Sequence, residues 1–188
     1  MRRIFACAIA SIALLGPASA DGPHDSFKIG NWIGGYFTKD ADSTFSHCAA
    51  WVSYPASGIT LYVTINAQGQ WNLAFQNDRW QLVPGQAIPV DLTFDGIGPV
   101  RVYAIPPNNT LAVVSMPGNS ALMKQFMDAQ GMQAFAQGNL FGFNLEGTLP
   151  LMRALISCVK KQVPSISLKD PEAQSSTSAG HPQRARSS

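Results

Sequence analysis

The 188-residue chain is poor in charge. Asp, Glu, Lys and Arg together make up 13% of it, with 13 Lys+Arg against 11 Asp+Glu. No run or stripe of Lys and Arg appears, which argues against a nucleic-acid footprint. Histidine is nearly absent too. His24, His47 and His181 are widely separated, so no metal-ligand spacing arises, and a surface or strand histidine is the default reading for each. Hydrophobic runs of spanning length are missing after the N-terminus, so stable membrane insertion is not expected. The sequence contains no G-x-S-x-G, H-E-x-x-H or phosphate-binding glycine loop. These absences point away from the familiar hydrolase and nucleotide chemistries, and neither a metal nor a cofactor is expected. Asp91, Asp95 and Glu146 are accounted for by solvent exposure, a turn and a helix start.

The first twenty residues, MRRIFACAIASIALLGPASA, carry a basic start, a short apolar run and an A-x-A site. They read as a secretory signal peptide cut after Ala20, with an anchor helix as the alternative. Arg2 and Arg3 are the only charged residues in that segment, so the remainder carries 11 basic and 11 acidic side chains. Residues 27–163 are expected to form one α+β domain. Residues 164–188, rich in Ser, Gln, Pro and Ala, are expected to be a disordered tail.

Removal of residues 1–20 takes Cys7 with it and leaves Cys48 and Cys158. An exported protein folds under oxidising conditions, where paired cysteines persist as disulfides. The pair is therefore read as a clip joining the first core strand to the last helix. A free structural thiol and a His47–Cys48 catalytic dyad are the alternatives. The dyad conflicts with strand geometry, because successive side chains point to opposite faces.

Strong period-two alternation runs through the middle of the chain. Ile59, Leu61, Val63 and Ile65 share one phase, with Thr60, Tyr62 and Thr64 in the other. Trp71, Leu73 and Phe75 follow a short loop containing Gly69, which predicts a hairpin. Residues 45–54 and 87–94, 99–105 and 110–116 also read as strands, and Trp80 and Leu82 resume an apolar face. "GNWIGG" reads as a tight turn with Trp32 packed over it. A helix is predicted from Ser120, capped by Asn119 or Ser120, then two short strands about Gly138-Asn139. A last helix is expected with Thr148 as N-cap and Pro150 in its first turn. Many antiparallel strands followed by segregated helices predict an α+β fold, a sheet or half-barrel covered by two helices.

Trp32, Trp51, Trp71 and Trp80 lie in the first half of the chain, and at least two are expected in the core. Trp51 with Tyr62 or Tyr103 is the candidate ligand or partner face. Asn66, Gln70, Asn72 and Gln76 would add neutral hydrogen-bonding groups beside it, suiting a neutral partner.

"NWIGGYF", "FSHCAAWVSY", "WNLAFQNDRWQLVPGQAIPV" and "FNLEGTLPLMRALISCV" together resemble a group of small secreted and periplasmic proteins of alphaproteobacteria, over residues 31 to 161. The closing pattern is faintly similar to the invasion-associated locus B type, from which the chain departs in having a single cysteine pair. The resemblance implies a disulfide between Cys48 and Cys158 and carries no activity or site. The expected function is a non-enzymatic exported binding module, periplasmic or secreted. An envelope-stress or host-interaction protein acting through its tail, and a hydrolase-like enzyme, are the alternatives.

Overall fold

The computed structural model describes residues 23–39, 44–118 and 120–166. The expected signal peptide, Asn119 and most of the expected tail lie outside the described residues. The described residues form ten strands: β1 (His24–Ile29), β2 (Trp32–Lys39), β3 (Thr44–Tyr54), β4 (Ile59–Asn66), β5 (Trp71–Gln76), β6 (Ile88–Phe94), β7 (Ile97–Ile105), β8 (Leu111–Ser115), β9 (Gly131–Ala136) and β10 (Asn139–Asn144). Two helices accompany them, α1 (Ser120–Asp128) and α2 (Thr148–Gln162). All strands join one antiparallel sheet in the order β1-β2-β3-β4-β5-β8-β7-β6-β9-β10. The fold is the α+β half-barrel that the alternating strands and segregated helices predict.

One phase of each central strand faces the core. β4 buries Ile59, Leu61, Val63 and Ile65 in strict alternation. α2 covers the β2–β4 part of this inner face and also packs against α1. Trp71 and Phe94 from the sheet meet Phe126 of α1. The far end of the sheet curls back on itself. Phe143 of β10 packs on Phe75 of β5 at 5.4 Å between ring centres, and the Tyr54 hydroxyl donates to the Asn144 carbonyl at 2.5 Å. Trp32 and Trp71 are buried in the core, whereas Trp51 and Trp80 are half-buried.

The "GNWIGG" stretch differs from expectation. Gly30-Asn31 form a turn, but Trp32, Gly34 and Gly35 belong to β2, so a full hairpin opens the sheet. Trp32 does pack inward, and its Nε1 donates to the Glu146 carbonyl at 3.1 Å. Gly34 is required by close approach. A Cβ there would lie 2.5 Å from Cζ of Phe27 and 2.7 Å from the carbonyl oxygen of Ala49. Trp80 and Leu82 form no strand. They sit in the β5–β6 connection, which is tied to the β7–β8 loop by Leu82 N–H to Asn109 O and Gly85 N–H to Pro106 O, both 2.8 Å.

Thr148 does not cap α2. Gly147 takes that place in the left-handed region at φ 86, with no side-chain cap. The buried Thr148 hydroxyl instead lies 3.2 Å from both the Phe126 and Met127 carbonyls, near the end of α1. Those carbonyls lie in the last turn of that helix, where acceptors lack intrahelical donors. Cys48 of β3 and Cys158 of α2 are joined, their Cα atoms 6.2 Å apart, which clips the sheet to its covering helix.

Candidate functional site

The strand phase that does not face the core forms the outer surface of the half-barrel. Cross-strand pairing aligns Ile33, Trp51, Tyr62, Ala74, Val113 and Ile105 in a single row across β2, β3, β4, β5, β8 and β7. Every member is apolar or aromatic. Directly opposed side chains on one face of an antiparallel pair lie within contact distance. Trp51 and Tyr62 accordingly pack with ring centres 6.2 Å apart. A polar row runs along one flank, pairing Ala49 with Thr64, Thr64 with Asn72, and Asn72 with Ser115. A second, Ser53–Thr60–Gln76–Leu111, runs along the other.

Small side chains at Ala49 and Ala74 let this surface sink into an open groove of about 520 Å³. One wall is the stack of Phe37 on His47, ring centres 5.0 Å apart and nearly parallel at 8°. Leu111 and Val113 stand on β8, and Tyr62 with Gln76 on β4 and β5. The Tyr62 hydroxyl donates to Gln76 Oε1 at 2.8 Å, and Asn72 Nδ2 donates to Thr64 Oγ1 at 3.1 Å. Ser46 Oγ and His47 Nδ1 are 3.0 Å apart. Among the described residues no Asp, Glu, Lys or Arg lines the groove. Burial lowers the His47 pKa, which favours the uncharged imidazole. Burial first, and the Asp78 carboxylate second, push the Tyr62 phenol up, so it stays an O–H donor at neutral pH.

Of the residues singled out from sequence, Trp51 and Tyr62 are brought together, with Asn66, Asn72 and Gln76 beside Tyr62 in the groove. Gln70 is diverted: its Nε2 donates to the Trp71 and Met116 carbonyls. Tyr103 projects outward from β7 opposite Pro89 and does not line the groove. Sequence reasoning missed Phe37, His47, Leu111 and Val113. His47 shares the strand phase of Trp51 and could have been found by that parity. The others depend on which strands become neighbours.

His47 and Cys48 face opposite sides of β3, and Cys48 is held in the disulfide, so the pair forms no thiol dyad. Asp91 makes a two-pronged ion pair with Arg101 across β6 and β7, both contacts at 2.7 Å, and faces outward. Asp95, at φ 46, begins the β6–β7 turn, and its carboxylate also accepts from the Gln130 and Gly131 amides. Among the described residues no group of three or more His, Cys, Asp or Glu is placed to hold a metal ion. No described helix is long and apolar enough to cross a membrane.

The sheet with its covering helices and the Cys48–Cys158 clip defines the class: an α+β half-barrel whose outer groove is lined, among the described residues, by uncharged side chains. No protein-family model and no curated protein matches the sequence. Among solved structures, the invasion associated protein B of Bartonella henselae is similar at 14% identity and a TM-score of 0.49, over 72% of this chain and 98% of that one.

Proposed function

We propose that this protein is an exported, non-enzymatic binding module that holds a neutral, hydroxyl-rich ligand such as a glycan across its outer sheet face. The carrying observation is the groove beside Trp51 and Tyr62, which combines aromatic walls with carboxamides and hydroxyls and whose described lining residues carry no formal charge. Aromatic rings offer apolar faces to sugar C–H groups, and Asn66, Asn72 and Gln76 offer both donors and acceptors to hydroxyls. An extended peptide fits less well. Such peptides are commonly held by main-chain bonds to an exposed sheet edge, and β2, β3, β4, β5 and β8 are each paired on both sides. Export is supported by the N-terminal sequence and by the disulfide.

The test is calorimetric titration with neutral and charged oligosaccharides of matched length. Neutral chains should bind, and Trp51→Ala and Gln76→Ala should each weaken them at least tenfold with little change in melting temperature. Failure of the whole neutral panel, or full affinity in both variants, would remove this reading.

A further inference from the structure

The inner side of the half-barrel holds a second space, distinct from the outer groove. Where the sheet curls, a cavity of about 170 Å³ remains among β4–β10 and the β5–β6 connection. Its origin is visible in the residues. Ala104, Ala112, Ala134 and Ala136 point inward from β7, β8 and β9, where the cross-strand partners of the first three are the larger Ile88, Phe75 and Leu92. Four short side chains gathered from three strands leave a void that protein interiors normally fill.

Two segments frame the opening. Trp80, on the β5–β6 connection, packs edge-on against Phe141 of β10 with ring centres 6.3 Å apart. Opposite stands the β9–β10 turn, where Gln137 and Gly138 adopt φ 50 and φ 80. Such turns favour Asn, Asp or Gly at the first of these positions, so Gln there carries a conformational cost. Its side chain lines the cavity while remaining exposed, which puts its carboxamide at the mouth. Asn139 is the other polar side chain at the cavity.

We infer that this cavity is a binding site for a small monocyclic aromatic molecule bearing one hydrogen-bonding substituent. An apolar cavity of about 150 Å³ stays dry and takes up benzene, so the space here suits one ring with a small substituent. A buried water needs two to four polar partners, and among the described residues only the side chains of Gln137 and Asn139 supply them, both exposed at the opening. A sugar would leave its hydroxyls unpaired against alanine and phenylalanine. A long acyl chain would outrun the space.

The test uses p-cresol, toluene and octanoate as probes against the folded full chain. p-Cresol should bind saturably and more tightly than toluene or octanoate, with changed Trp80 fluorescence. Ala112→Leu and Ala134→Leu add carbons into existing space, so they should keep or raise the melting temperature and weaken p-cresol at least tenfold. Tyr62→Ala, in the outer groove, should leave p-cresol binding intact. In the unaltered protein, nuclear Overhauser contacts should join the p-cresol methyl to the Ala112 and Ala134 methyls, a readout independent of whether a variant folds. Absence of saturable binding, a preference for octanoate, equal affinity in both filled variants or contacts mapping elsewhere would each overturn the assignment.

Discussion

His47 and Cys48 are adjacent in the chain yet serve opposite sides of the sheet: the imidazole stacks on Phe37 in the outer groove, and the sulfur is buried in a bond to Cys158. Strand geometry alone divides them. One residue contributes to a surface and its neighbour to stability, and the consequences can be measured separately.

Reduction of the disulfide should cost up to roughly 4–5 kcal/mol, the chain-entropy value for a closed loop of this size. The two cysteines are 110 residues apart. Urea unfolding with and without reductant should show a lower midpoint on reduction, and the oxidised protein should weigh about 2 Da less than the reduced form. Equal midpoints would mean that α2 is held to β3 by packing alone.

The His47 pKa is depressed by burial. In the unfolded chain it returns to about 6.5, so below that pH the unfolded state takes up the proton first. The neutral imidazole's contribution is therefore complete above about pH 6.5 and declines as pH falls through the lowered folded value. His47→Gln should flatten the stability profile in that acidic range. An unchanged slope would refute the assignment.

Burial pushes the Tyr54 phenol up to about 12 from 10.0. The folded state keeps its proton longer, so the stabilising contribution is complete below pH 10 and disappears as pH rises to about 12. Tyr54→Phe removes the donor to Asn144 and should reduce the stability lost in that window, leaving the smaller dependence due to Tyr62. Alkaline denaturation of the two proteins, followed by circular dichroism, is the comparison.

Gly34→Ala should destabilise the fold by about 1–3 kcal/mol, the usual cost of overpacking, because the new methyl meets a backbone carbonyl as well as the Phe27 ring. Gly142→Ala, on β10, meets nothing within 4 Å and should be neutral or mildly stabilising. Equal thermal shifts for the two variants would contradict the close packing of β1 over β2.

Local pattern was enough to read much of this molecule. The alternation of Ile59 to Ile65 and Trp71 to Phe75 predicted the β4–β5 hairpin and put Tyr62 on the face opposite the apolar one. Distant partners hid the rest. Gly34 and Gly35 look like turn residues until Phe27 and Ala49 are seen crowding the first of them. Thr148 has the chemistry of an N-cap, but α1 brings unpaired carbonyls within its reach. Tyr103 has the outward phase, yet β7 pairs with β8 only through Ala104 and Ile105, so Tyr103 lies beyond the row that reaches the groove. The inner cavity is lined by alanines on β7, β8 and β9, whose gathering around one space no local window records.

The Cys48–Cys158 bond turns the chain from β3 to α2 into a closed ring, with the β1–β2 hairpin hanging outside it. Tension applied at the two ends of the polypeptide would run from strand to helix through the sulfurs and bypass everything between. A length of roughly 360 Å of extended chain, at about 3.3 Å per residue, would stay locked however hard the molecule was stretched. A single reducing event would release that length and turn a short tether into a long one.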